Sequence, residues 1–256
     1  HEKLANDAVF ALIGRDAPLD FFRRSGVRIR GESTPLGLAV VALGLVLLAA
    51  LYDWKSSGFL EALWSRAAWP ADVPQRLAGL GAGWAAQVAD RGTLLGTLAV
   101  SMKSRSFWYT LAYTAIIAWF GVQRVRRRRT PYVARQTLTL FLVQAVPLFV
   151  LPEIVLPWLG YRGAFDHGTG RALADQLFEP YVSAADYAAR HWPEWGHPRA
   201  YWRAYGFILA WPLNVYNVFT HEPRWTWIAI GAVQTFVLIP LAVWRWGKGA
   251  YCGWIC

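Results

Sequence analysis

The sequence predicts an all-α, polytopic integral membrane protein with about five transmembrane helices and interfacial amphipathic helices. Of its 256 residues, 55% are hydrophobic and 16% charged, and the mean hydropathy is +0.25, which is too apolar for an ordinary soluble domain. The apolar residues form runs of roughly 20 residues, long enough to cross a bilayer core of about 30 Å. Many of the 16 Trp and 11 Tyr residues lie at the ends of these runs, as in the aromatic belts of membrane proteins.

The runs divide the chain into two regions. Residues 1–34 are mixed and charged, which predicts an interfacial N-terminal segment. Residues 35–256 are predicted to form the transmembrane domain, and Pro35 is a good start signal for its first helix because proline is favoured in the first helical turn. The five predicted spans are residues 35–52, 106–123, 136–159, 203–219 and 225–244, all with approximate bounds.

The loop at 53–104 is predicted to carry structure of its own. Leu77, Leu80, Trp84 and Val88 recur at helical spacing, which predicts a helix lying on the membrane. The stretch from Thr93 to Met102 is apolar but too short to span, so it predicts a re-entrant or surface segment.

Arginine accounts for much of the net charge of +10, and it flanks the predicted spans. Arg23, Arg24 and the run from Arg124 to Arg129 are better explained by membrane topology and anionic lipid headgroups than by nucleic acid. The N-terminal segment and the loop after the second span are therefore predicted to be cytoplasmic. Five crossings would then put the C-terminal residues outside.

The only two cysteines, Cys252 and Cys256, are separated by three residues and favour a metal site. If they continued the fifth helix, their Cβ atoms would be roughly 5–6 Å apart, too far for a disulfide unless Gly253 broke the helix. Zinc would need two more Cys or His ligands, and His221 is the nearest candidate. An iron–sulfur cluster usually needs four thiolates. Small hydrophobic cysteines at a helix end are the remaining alternative.

The segment from Trp246 to Cys256 resembles the first cysteine motif of the NosR/NapH/MauN-type, polyferredoxin-like membrane 4Fe-4S binding proteins. The shared pattern is a Trp-ended span, a basic glycine turn at Gly247-Lys248-Gly249, an aromatic residue and Cys252-Gly253-Trp254-Ile255-Cys256. The resemblance covers only about the last dozen residues. We expect the missing ligands elsewhere, since a chain that begins with His1 is expected to be part of a longer polypeptide.

That resemblance implies a membrane-bound iron–sulfur protein that passes electrons between the quinone pool and a redox partner. Cys252 and Cys256 would bind a 4Fe-4S cluster, and Lys248 with nearby backbone N–H groups would tune its potential. The implied location is the bacterial inner (cytoplasmic) membrane, as a multi-pass protein with protein partners in a membrane complex. An external cysteine pair conflicts with a cluster assembled in the cytoplasm, and the sequence leaves this conflict open.

Glu153 is the only acidic residue well inside a predicted span. It lies between Pro152 and Pro157, where freed backbone carbonyls would help to form a polar pocket. A quinol-binding or proton-relay carboxylate is one hypothesis. The other is an interfacial glutamate that reaches headgroups or pairs with Arg162.

The remaining polar residues give weaker indications. Gln144 and Gln234, with Asn214 and Asn217, predict hydrogen bonds between helices. His191 and His197 fall in a Trp-rich loop, which predicts interfacial anchoring or docking of a neighbour and no bis-histidine haem. The alternative functions are a structural or assembly subunit with no redox centre and, from Glu153 and the proline-rich third span alone, a transporter domain.

Overall fold

The computed structural model is mainly helical, and no strand occurs in the residues that it describes. This confirms the all-α class. Residues 1–52 and 53–256 form two compact units. The described residues are 19–26, 34–56, 58–67, 69–179, 197–208, 224–247 and 249–254.

The first unit contains helix α1, Leu19–Arg24, and most of helix α2, Pro35–Ser56. Helix α2 begins at the predicted proline, and the Thr34 hydroxyl accepts a 3.0 Å hydrogen bond from the Gly37 N–H, which caps the helix start. Within α1, Phe21 and Phe22 are exposed. The interfacial role of residues 1–34 stays a prediction.

Three helices are long and apolar enough to cross a membrane, and they agree with the first, third and fifth predicted spans. They indicate an integral membrane protein. The predicted second span lies in helix α7, Arg105–Arg128, which is not one of the three. Of the predicted fourth span, only residues 203–208 are described. The three candidate spans are Pro35–Ser56, Pro131–Tyr161 and Trp225–Trp246.

The loop after α2 folds into four short helices: α3, Glu61–Trp64; α4, Val73–Ala78; α5, Ala82–Ala89; and α6, Leu94–Ser101. Helix α6 corresponds to the predicted re-entrant or surface segment. The surface alternative is wrong, because Thr97, Ala99 and Ser101 are at most 1% exposed. Helix α6 instead packs against the middle of the second candidate span.

The second candidate span changes helix type along its length. It begins as α8, Pro131–Ala145, continues as a π-helix over Val146–Val155 and ends as α9, Leu156–Tyr161. Helix α7 runs antiparallel beside it. The Phe107 and Phe149 rings lie 5.3 Å apart, and the Tyr113 hydroxyl donates a 2.7 Å hydrogen bond to Gln144. The predicted interhelical role of Gln144 is confirmed.

The hydrophobic core lies beside the π-helix and α9, where Leu151 and Leu156 pack against it. Helix α10, Gly168–Leu177, leads to Phe178, and the 3-10 helix Tyr201–Phe207 packs on the π-helix. The indole of Trp227, which is 0% exposed, donates a 2.6 Å hydrogen bond to the Leu177 carbonyl. The buried members of this core are Ala174, Phe178, Tyr201, Ala204 and Trp227.

The third candidate span consists of α11, Trp225–Val233, a π-helical turn, Gln234–Leu238, and α12, Ile239–Trp246. Its beginning lies beside the 3-10 helix: the Phe207 and Trp227 rings are 5.0 Å apart, and the Gln234 amide donates to the Phe207 carbonyl at 2.8 Å. The predicted interhelical role of Gln234 is confirmed. Residues 209–219 of the predicted fourth span lie outside the described residues, so this crossing stays a prediction.

The C-terminal end of the third candidate span lies beside the beginning of the second. Helix α13, Gly249–Trp254, contacts α8. Gln136 on α8 donates a 2.8 Å hydrogen bond to the Gly253 carbonyl, and the rings of Tyr132 and Trp254 pack edge to face at 5.7 Å. The two spans are therefore antiparallel, and the cysteine segment shares an end with the arginine run.

Candidate functional site

The cysteine segment does not continue the helix of the third candidate span. Helix α12 ends at Trp246, and Gly247 has φ +87° and ψ 168°, a conformation that side chains other than glycine rarely adopt. The chain then turns into the six-residue helix α13, which carries Cys252. The cysteine segment therefore does not continue the helix of the fifth predicted span, and the Cβ separation expected from such a continuation does not apply.

Helix α13 is held by side chains from the arginine-bearing end of α7 and α8. Gln136 of α8 connects α13 to α7. Its amide nitrogen donates to the Gly253 carbonyl, and its oxygen accepts a 2.5 Å hydrogen bond from Arg124. Lys248, Cys256 and the Cys252 side chain lie outside the described residues. Their predicted roles stay predictions.

The two cysteines are the right kind of ligand for a 4Fe-4S cluster, but there are too few of them. Thiolates are the usual ligands and four are needed, whereas the chain has two cysteines. In the part of the chain that the structure describes, no group of three or more His, Cys, Asp or Glu side chains is arranged to hold a metal ion. His221, the predicted further zinc ligand, lies outside it. These residues alone do not complete a cluster.

Glu153 lies in the π-helix and is only 7% exposed. Burial excludes the predicted interfacial glutamate that reaches headgroups. Arg162, the predicted partner, instead stacks over the Trp158 ring at 4.9 Å. Among the described residues no donor binds the Glu153 carboxylate, and Lys55 is the basic residue that acts on it electrostatically.

A buried chain of hydrogen bonds lies next to Glu153. The Ser101 hydroxyl donates a 2.6 Å hydrogen bond to the Glu153 main-chain oxygen and is 2.8 Å from Nε2 of His197. The other imidazole nitrogen, Nδ1, is 3.0 Å from the Tyr161 hydroxyl. Because Ser101 gives its only proton to the carbonyl, it accepts from Nε2–H, and Nδ1 accepts from Tyr161.

Pro157 denies the Glu153 carbonyl the hydrogen bond that it would accept in an α-helix, although the π-helical pattern at this point uses the N–H of residue 158 instead. In an α-helix the carbonyl of residue 153 would accept from the N–H of residue 157, which is a proline without an N–H. The Ser101 hydroxyl supplies a hydrogen bond to that oxygen. This agrees with the predicted polar pocket from freed carbonyls, although the donor comes from α6.

His197 is 6% exposed, so neither predicted role, interfacial anchoring or docking, fits it. Burial, and secondly the positive charge of Arg91, lower its pKa to about 3, which keeps the imidazole neutral. Burial and the Glu153 charge raise the pKa of Tyr205. Its phenol therefore stays protonated in the same interior.

No protein family, curated protein or solved structure matches this chain. Inference about function therefore starts from the two groups of residues described above. One is the cysteine helix α13 at the arginine-bearing end. The other is the polar interior around Glu153 and His197 near the opposite end of the same span.

Two ion pairs lie in the segment that follows His197, one buried and one partly buried, and neither was predicted from the sequence. Arg199 binds Asp175 at 2.5 Å and donates a 2.6 Å hydrogen bond to the Glu179 carbonyl. Arg203 binds the Glu179 carboxylate. The only available signal was two arginines and two carboxylates in one loop-rich region, which does not distinguish buried pairs from solvated ones.

Because His197 is neutral in the folded protein, we expect the free energy of unfolding to decrease as the pH is lowered. The folded-state pKa, about 3, is below the ordinary value of 6.5, so the unfolded chain binds the proton first. The contribution is complete above pH 6.5 and is lost as the pH falls from 6.5 towards 3, at roughly 1 kcal/mol for each pH unit. Thermal unfolding in detergent at pH 7.5 to 5 measures this.

His197→Gln is expected to reduce that slope between pH 6.5 and 5, because the amide does not titrate. His167→Gln provides a matched control, since His167 is exposed at the start of α10, and it should follow the unsubstituted protein. An unchanged slope in His197→Gln would show that other groups cause the acid sensitivity.

Proposed function

We propose that this chain is a membrane-bound iron–sulfur electron-transfer protein that passes electrons between the quinone pool and a redox partner. The observation that carries the proposal is the Cys252-Gly253-Trp254-Ile255-Cys256 segment behind a glycine turn. The break at Gly247 and the separate helix α13 support it, because a ligand segment must leave the axis of its span. Both cysteines would act as cluster ligands, and the other thiolates would come from outside these 256 residues.

The contacts of α13 favour a cytoplasmic cysteine segment. In the proposed topology α7 is also a crossing, so that the chain crosses at α2, α7, the second candidate span and the third. An even number of crossings puts the cysteines on the face of the N-terminal segment and the arginine run, which is cytoplasmic by the positive-inside rule. The conflict predicted from five crossings then disappears, since clusters are assembled on that side.

Glu153 is a candidate quinol or proton site in this proposal, and its burial without a described hydrogen-bond donor supports that role. It lies 17 residues after Gln136, which corresponds to about 25 Å along a helix that rises 1.5 Å per residue. Glu153 would therefore act near the outer face, and the cysteines near the inner one.

Iron analysis of the purified protein, with any polypeptide that co-purifies, tests the proposal. We expect iron, acid-labile sulfide and a broad visible absorption that decreases on reduction, as thiolate–iron charge transfer gives. Cys252→Ser and Cys256→Ser, separately and together, should abolish all three signals. Ile255→Val, between the two cysteines, is the matched control and should retain them. Protein with an intact C-terminus that contains no iron would exclude the proposed function.

A structural or assembly subunit with no redox centre is the second candidate. It is favoured by the incomplete donor set and by the extent to which buried charges are paired internally, as in Arg203 with Glu179 and Arg199 with Asp175. For this candidate the two Cys→Ser substitutions would leave complex assembly and electron-transfer activity unchanged.

A further inference from the structure

A cleft of about 670 Å³ lies between the beginning of α8 and the end of the third candidate span. Its walls are mainly apolar and aromatic, with Tyr132, Trp246 and Trp254 around Ala242. Gln136 is the polar side chain of the lining, and both ends of its amide are engaged, with Arg124 and with the Gly253 carbonyl. The size is that of a site for a small organic ligand.

Two arginines contact residues that line this cleft. Arg124 donates to Gln136, and Arg245 lies over the ring of Trp246 with 5.8 Å between the guanidinium carbon and the ring centroid. Both side chains are exposed, and within the described ranges no carboxylate pairs with either. A cleft with an apolar interior and unpaired guanidinium groups beside it suits a ligand with an anionic end and an apolar body.

The position of the cleft identifies the ligand class further. It lies at one end of two candidate spans, next to exposed Leu238, Leu241 and Trp244. Such side chains on a spanning helix face acyl chains, and tryptophan prefers the headgroup level. Basic pockets between helices at the cytoplasmic face are a recurring way to bind anionic headgroups.

We propose that this cleft is a binding site for an anionic phospholipid. Its phosphate would lie at Arg124 and Arg245, and the glycerol and upper acyl chain would lie against Tyr132, Ala242 and Trp246. Such a lipid would join α8 to α12 and α13 and would hold the cysteine helix in place. The contacts that form this site do not involve the cysteines, so the proposed lipid site does not depend on the proposed electron-transfer function.

Native mass spectrometry of the intact protein in detergent tests the site by titration with phosphatidylglycerol, phosphatidylcholine and inorganic phosphate. We expect one phosphatidylglycerol to bind about tenfold or more tightly than phosphatidylcholine, with an affinity that decreases as salt increases. The double variant Arg124→Gln, Arg245→Gln should lose about tenfold. Arg126→Gln, Arg127→Gln removes the same amount of charge from the end of α7 that carries Arg124, at residues that do not line the cleft, and should change the affinity less than twofold.

A second pair of variants tests whether binding needs the space in the cleft as well as the two arginine charges. Ala242→Trp fills the cleft and leaves both arginines, so it should abolish tight binding of one lipid. Leu241→Trp adds the same side chain at the exposed neighbouring position and should not. Equal binding of both lipids, equal losses in the two arginine variants, or full competition by inorganic phosphate would each overturn the proposal. Iron content plays no part in these measurements, so failure here is distinguishable from failure of the proposed function.

Discussion

Replacing Arg203 by Met is expected to lower the free energy of unfolding by about 3–5 kcal/mol, because it leaves the Glu179 carboxylate buried without its counter-charge. The Arg203 side chain is 1% exposed and the Glu179 side chain 3%. The Nε of Arg203 donates a 2.9 Å hydrogen bond to Oε1 of Glu179, and its Nη2 binds the same oxygen. The other carboxylate oxygen has no partner among the described residues.

Thermal and denaturant unfolding in mixed micelles measure this loss. The matched control is Arg76→Met, which removes an exposed pair with Asp72 in which the arginine side chain is 70% exposed, and it should cost less than about 1 kcal/mol. The double variant Arg203→Met, Glu179→Leu should recover most of the loss, since it removes both charges. A loss in Arg203→Met no larger than in the control would show that the buried pair contributes little.

Gly96→Ala is expected to lower the free energy of unfolding by about 3 kcal/mol, because the added methyl group meets backbone. A Cβ at this position would lie 2.6 Å from the Asp90 carbonyl carbon and 2.8 Å from the Gln87 oxygen, and closer still to the Asp90 oxygen. These atoms belong to a tight turn in which the Thr93 hydroxyl lies 2.8 Å from both carbonyl oxygens and shares its one proton between them. The turn therefore cannot yield without losing hydrogen bonds.

Gly83→Ala is the control for this substitution. Gly83 lies in helix α5, and a Cβ there meets no atom within 4 Å, so alanine should stabilise the protein by about 0.5–1 kcal/mol. The two glycine variants are thus expected to move the melting temperature in opposite directions. If Gly96→Ala also stabilised, close packing of α6 against the turn would be wrong.

The sequence predicted the parts of the fold that depend on local composition. The spans beginning near Pro35 and Trp225 follow from continuous apolar runs, which need no knowledge of neighbours. The location of helix α6 was harder to predict, because an eight-residue apolar helix has the same sequence pattern on a membrane surface and in a protein core. The pair Thr97 and Ser101, four residues apart on one face, is a local signal of a buried polar face that the prediction did not use.

The candidate site was less predictable, because its contacts join distant parts of the chain. Ser101 and His197 are 96 residues apart, and Arg203 and Glu179 are 24 apart. The adjacency of the Phe207 and Trp227 rings likewise depends on tertiary packing. Glu153 was found because an ionisable group inside an apolar run is locally visible, but its burial was not.

The π-helix over Val146–Val155 has a consequence for comparing helix faces. Each residue that a π-helix adds to its turns rotates everything after it by about 100° relative to a continuous α-helix. A residue in α9 therefore faces a different direction from the one that it would have if α8 continued to it as an unbroken α-helix. Gln136 and Tyr161 cannot be projected onto one helical wheel, and a face defined by residues of α8 does not extend directly into α9.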